Sequence, residues 1–255
     1  MDFSTGHAAA FWGFVAGSAL LIGAAVGYFV DVPRRMVAAI MAFGAGVLFS
    51  ALSFDLMEEA LARGGVLSTA LGFVTGALIY TAANLVISRR GARHRKRAGD
   101  EQAGERSAMG DDSGLAIAVG SVLDGIPESI AIGLTMIEGG IVSVTAVVAI
   151  FLSNIPEGLS SATGMRRAGR SPRFVLGVWS AAVVVFAAAS SAGYLLFAGL
   201  PDEVTAATTA LAAGGILAML VDTMVPEAFE DAHDFTGVIT VLGFLAAFAL
   251  SKGVG

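Results

Sequence analysis

Apolar residues gather into eight runs, at roughly 8–30, 36–58, 66–88, 114–137, 141–164, 174–198, 205–228 and 235–251, with polar or charged breaks between them. A helix rising 1.5 Å per residue needs about 20 such residues to cross roughly 30 Å of hydrocarbon. The runs are long enough, the eighth being the shortest. The first exceeds a signal-peptide core and follows Asp2 rather than Lys or Arg, so it is expected to stay as a span. The pattern predicts an all-α membrane protein: one domain over 1–255 with eight transmembrane helices.

Composition agrees. The 255 residues are 56% hydrophobic and 14% charged, with mean hydropathy +0.79; soluble domains carry about 25% charged residues. Glycine is abundant, and small residues let helices approach closely in lipid. The absence of cysteine rules out disulfides, thiolate ligands and thiol nucleophiles.

Charge sets the orientation. Arg34 and Arg35 follow the first run; Arg89, Arg90, Arg93, Arg95, Lys96, Arg97 and Arg106 follow the third; Arg166, Arg167, Arg170 and Arg173 follow the fifth. With eight spans all of these share one side, and only Arg63 and Lys252 fall on the other. The positive-inside rule then places both termini outside the cytoplasm, in the inner membrane of a cell. Residues 89–113 read as a mobile cytoplasmic loop, basic at first and then mixed, whose basic end anchors to headgroups of the lipid bilayer. Beside a membrane span it is no nucleic-acid site.

Two internal repeats stand out. Asp124-Gly-Ile-Pro127-Glu128 matches Ser153-Asn154-Ile-Pro156-Glu157 at an offset of 29 residues, inside consecutive runs. Ala45-Gly46 through Glu59-Ala60 matches Ala213-Gly214 through Glu227-Ala228 at an offset of 168. In each pair the two segments cross in opposite directions, which predicts inverted repeats around a midplane site, the architecture of alternating-access transporters.

The central repeat carries the chemistry. Residues i and i+4 share a helix face, so Asp124 stacks on Glu128 and Ser153 on Glu157. Pro127 and Pro156 cannot donate to the carbonyls four residues back, which adds a freed oxygen beside each set. These are hard acceptors, apart from the Asn154 amide N–H. A carboxylate at the bilayer centre costs about 2.5–3.5 kcal/mol, and no Lys or Arg lies within any run. Bound protons or a bound cation would supply the balancing charge. The expected ligands are Asp124, Glu128, Ser153, Asn154 and Glu157. Asp55 and Glu59 could gather cations at the outer mouth; Asp222, Glu227 and His233 could receive them at the inner one. Acids at helix ends need no such role, and Asn84 and His7 read as structural or incidental.

IPESIAIGL and NIPEGLSSATGM resemble the fourth- and fifth-span signatures of the ZIP (Zrt-, Irt-like) metal transporters. Eight spans, outside termini, a long loop after the third span and a Pro-Glu-Ala ending to the seventh are similar too. The resemblance implies uptake of zinc or another divalent transition metal into the cytoplasm, often by a homodimer, with the metal held between spans four and five as transported substrate rather than as a cofactor. It also implies that spans one, four, five and six move against the rest. Where the family usually has His-Asn this chain has Asp124-Gly125, and Ser153 replaces the usual His or Gln. Some bacterial members add a Glu in the sixth span; here no acid lies between Arg173 and Asp202, which favours a single metal. An oxygen-only set suits manganese, magnesium, calcium or iron(II) by hardness, while the resemblance favours zinc.

Three other readings compete. A proton- or sodium-coupled carrier would want a lining for an organic solute, and none is evident. A non-transporting metal sensor could keep the same fold. An intramembrane enzyme lacks parts, having no Cys, no His in the central runs and no protease-like aspartate pair.

Overall fold

The computed structural model describes residues 3–89, 112–137, 139–167 and 169–253. Helices α1 (Phe3–Phe29), α2 (Arg34–Ala51) and α3 (Met57–Ile87) are followed by α4 (Asp112–Thr135), α5 (Val144–Arg167) and α6 (Pro172–Phe197). Then come α7 (Asp202–Met219), the short α8 (Val225–Ala232) and α9 (Thr236–Gly253). No strand occurs among the described residues. Six helical stretches there are long and apolar enough to cross a membrane, the architecture of a multi-pass membrane protein. The predicted loop falls on 89–113, of which 90–111 lie outside the described residues.

The longest stretch, Arg34–Ile87, runs through 54 residues. A kink divides it into two helices. Gly65 takes φ 70° and ψ −178°, a left-handed conformation that glycine adopts without a Cβ penalty. Sequence periodicity separates two runs here, and the bend falls between them. Five-residue π turns interrupt the stretch at Leu52–Leu56 and the α7–α8 stretch at Leu220–Met224. Both hold an acid, Asp55 in the first and Asp222 in the second.

Other boundaries have local causes. Ser171 caps α6, accepting from the Phe174 N–H at 3.3 Å with Pro172 next in line. Between α4 and α5, the Ser143 N–H donates to Thr135 Oγ1 at 3.2 Å, and Ser143 Oγ accepts from Ala146 N at 3.2 Å.

Packing sorts the helices into two groups. α1 lies mainly on α5 and α6, and α4 mainly on α6; α3 lies mainly on α7, and α2 on α9. The groups meet where α2 touches α5 and where α4 touches α7. Glycines set the closest crossings. A Cβ on Gly46 would overlap the Thr240 carbonyl and one on Gly243 the Phe43 carbonyl; likewise Gly214 meets the Phe73 carbonyl and Gly76 that of Leu211. Trp179 and Phe186 fill the space under α6, whereas Leu67, Leu78, Val238 and Leu242 face outward from α3 and α9. That exterior suits lipid.

The ends of the helices are tied in pairs. Arg63, before the bend, bridges Glu59 at 3.3 Å and Asp202 at 3.9 Å. At another set of ends Arg166 bonds Asp31 and donates to the Tyr28 carbonyl at 2.9 Å, while the Tyr28 hydroxyl donates to the Arg170 carbonyl at 2.9 Å.

Candidate metal centre

α4 and α5 each carry a proline inside the helix, Pro127 and Pro156. The polar residues of the repeat surround them. Asp124 and Glu128 are each 1% exposed; Ser153, Asn154 and Glu157 are 2%, 1% and 4% exposed. All five are inside the protein, on two helices that touch.

Three of them have specific anchors. The Tyr80 hydroxyl on α3 donates to Asp124 Oδ1 at 2.6 Å, a buried bond across helices. Asn154 Nδ2 donates to the Ala16 carbonyl on α1 at 3.0 Å. Only the NH2 end of an amide can donate there, so the carbonyl end is directed elsewhere. Asn154 Oδ1 is buried and has no hydrogen-bond partner. The amide N–H that the sequence set against a cation is therefore turned away to α1, leaving an acceptor in reserve. Ser153 Oγ donates back to the Ile150 carbonyl at 2.9 Å, which leaves its lone pairs for another partner.

The α2 backbone approaches this site because Gly44 has no side chain: a Cβ there would sit 3.2 Å from Ser153 Cα and 3.5 Å from Pro156 Cγ. On the other side Gly125 accommodates Phe186, whose ring a Cβ would overlap. Phe186 is 1% exposed. The space beside Gly125, next to Asp124 in the chain, is thus occupied by an aromatic ring from α6.

The acids do not converge into a finished cage. Among the described residues no three His, Cys, Asp or Glu side chains are gathered closely enough to hold a metal ion. Asp124, Glu128 and Glu157 are buried on neighbouring helices without meeting at one point.

Toward residues 136–143 the surroundings turn apolar and tight. Leu48, Ala51, Leu52, Leu56, Ala131, Ala146, Ile150 and Ile216, from α2, its π turn, α4, α5 and α7, leave a void of about 10 Å3. That is at the lower limit of the roughly 10–15 Å3 that holds one water, and the lining is wholly apolar. A larger apolar cleft of about 320 Å3, lined by Tyr80, Pro127, Leu211 and Phe197 among others, lies behind α4.

The residues expected along the route are scattered. Asp55 is half-buried, and its Oδ1 accepts from Ser251 Oγ at 3.3 Å beside Lys252, whose Nζ lies 5.5 Å from the Phe54 ring centre. Asp55 Oδ2 is buried with no hydrogen-bond partner. Glu59 pairs with Arg63. Asp222 is exposed, Glu227 is buried at 8% exposure, and His233 is exposed with its ring edge on Phe229 and a left-handed φ of 43°.

Two features escaped the sequence reading. Tyr80 was invisible because nothing in the chain gives the register of α3 against α4; its only signal is a phenol inside an apolar run. Phe186 beside Gly125 needed the packing of α6. Compared with known proteins, the chain is matched by no family model and by no curated protein.

Proposed function

We propose that this protein carries a divalent metal cation across the membrane into the cytoplasm, through a site shared by α4 and α5. Zinc is the first choice of substrate; manganese and iron(II) suit the oxygen-only donor set. The burial of Asp124, Glu128 and Glu157 together with Ser153 and Asn154, inside runs whose sequences hold no Lys or Arg, carries the reading. Buried ionisable groups in a membrane protein mark ion pathways. Asn154 contributes a second argument. Its amide is oriented by α1 so that an oxygen, not an N–H, is the group left unsatisfied.

On this reading the cation draws the acids of α4 and α5 together, and Asp124, Glu128, Ser153, Asn154 and Glu157 supply the oxygens. One metal is bound at a time, because the Phe186 ring takes the space beside Gly125. Asp55, Glu59, Asp222, Glu227 and His233 belong to the mouths rather than to the site.

The reading includes eight spans in inverted repeats. The bend at Gly65 supports counting two spans in Arg34–Ile87. The π turns support the repeat, since Leu52 and Leu220 stand 168 residues apart, the offset found in the sequence. So do the glycine crossings. Gly46 on Thr240 with Gly243 on Phe43 has its counterpart in Gly214 on Phe73 with Gly76 on Leu211.

Uptake of zinc, manganese and iron(II) into proteoliposomes tests the function, with native protein beside the Glu128→Ala, Glu157→Ala double variant. Native uptake of at least one metal, lost in the double variant, is expected. Equal uptake by both proteins would remove the site from α4 and α5.

A further inference from the structure

Hydroxyls buried in helices ordinarily satisfy themselves by donating to a carbonyl one turn back. Most of those near the central site do so. Ser129 Oγ donates to the Gly125 carbonyl at 2.8 Å, and Thr163 Oγ1 donates to that of Leu159 at 2.8 Å. Ser121, Ser160 and Ser161 differ. They are 1%, 0% and 0% exposed, and none of the three hydroxyls has a hydrogen-bond partner. Leaving a buried hydroxyl unmatched is costly.

The three sit where they bear on the site. Ser121 precedes Asp124 by three residues and Glu128 by seven, so 121, 124 and 128 form one stripe of α4. Ser160 and Ser161 follow Glu157 by three and four residues, and Ser153 by seven and eight, on the matching stripe of α5. The two helices are antiparallel across the 136–143 connection, so both sets of hydroxyls lie beyond the carboxylates toward the same end. That end carries Arg166 and Arg167 on α5. The opposite end closes on the tight apolar packing of Leu52, Ala131, Ala146 and Ile150. On α4 and α5 the unsatisfied hydroxyls are thus confined to one side of the carboxylates, with tight apolar packing on the other.

We propose that Ser121, Ser160 and Ser161 line a hydrated track leading from the carboxylates to the basic, cytoplasmic end of α4 and α5. Their hydroxyls replace part of the water shell of a divalent cation as it leaves and bind water when no cation passes. The track rests on the reading of the site given above. Its small oxygens hold a cation less firmly than carboxylates do, which suits a step of release.

The native chain has no cysteine, so single thiols report without background. Ser121→Cys, Ser160→Cys and Ser161→Cys, each close to isosteric, are made in the full chain and reconstituted in oriented vesicles. Ala162→Cys, also 0% exposed but packed with Leu20 and Trp179, is the control. A cationic, membrane-impermeant methanethiosulfonate is applied to one face at a time. From the cytoplasmic face Ser121→Cys and at least one of the α5 variants should react at least tenfold faster than Ala162→Cys. Reaction as slow as the control, or only from the outer face, overturns the track. Labelling without added cation tests the track alone. Whether zinc or manganese slows labelling tests the carboxylate site: protection supports both, and its absence sinks the site while the track stands.

Discussion

The phenol of Tyr80, on α3, donates a 2.6 Å hydrogen bond to Oδ1 of Asp124, on α4. α3 belongs with α7, and α4 with α6, so the bond links the two groups of helices through a residue of the proposed site. It fixes the Asp124 carboxylate within the proposed site. A hydrogen bond to a charged group is worth about 1.5–3 kcal/mol, and 1.4 kcal/mol is about tenfold in binding. Tyr80→Phe should raise the half-saturating cation concentration about tenfold or more, with a smaller effect on maximal uptake. Kinetics in proteoliposomes check this; an unchanged half-saturation would make the bond purely structural.

Asn154 sits with its amide donor on the Ala16 carbonyl. Asn154→Asp puts a carboxylate oxygen against that carbonyl, removing a donor and leaving a buried acceptor unmatched, at a cost of about 1–3 kcal/mol. The variant should melt lower than native protein in detergent. Added zinc or manganese should return part of the loss by binding the folded state. Calorimetric melting with and without metal reads both effects, and a variant as stable as native contradicts the assigned orientation.

Gly125 and Phe186 interlock without spare room. Gly125→Asn should therefore destabilise by about 1–3 kcal/mol through overpacking. Gly125→Asn with Phe186→Ala should recover part of that loss, which thermal unfolding of both variants checks. Failure of the second change to compensate would mean that Phe186 is not what fills the position.

The buried interior was legible from pattern alone. Spacing placed Asp124 over Glu128 and Ser153 over Glu157, and all four are inside. The 168-residue offset likewise ran ahead of the paired π turns, whose geometry no propensity signals. What the chain could not give was anything depending on how one helix is set against another. Tyr80 meets Asp124, Asn154 meets Ala16 and Phe186 meets Gly125 across separations that periodicity does not encode. The mouths fared differently from the interior. Asp222 lies deep in its run by position, yet it is exposed, because the π turn shifts the face on which each neighbouring residue emerges.

Topology is testable in the same cysteine-free background. Arg63 and Asp202 pair at one set of helix ends, and Asp31 pairs with Arg166 at another. An impermeant thiol reagent should reach Asp202→Cys from outside and Asp31→Cys only from the cytoplasm. Labelling of both single variants from one face would refute the eight-span arrangement.

The central claim, that one divalent cation loads between α4 and α5, is met most directly by anomalous X-ray scattering from crystals grown with zinc or manganese. The account predicts a single peak with oxygen ligands from Glu128 and Glu157, joined by oxygens of Asp124, Ser153 or Asn154. A peak elsewhere in the fold, or no peak at saturating metal while these side chains are ordered, would contradict it.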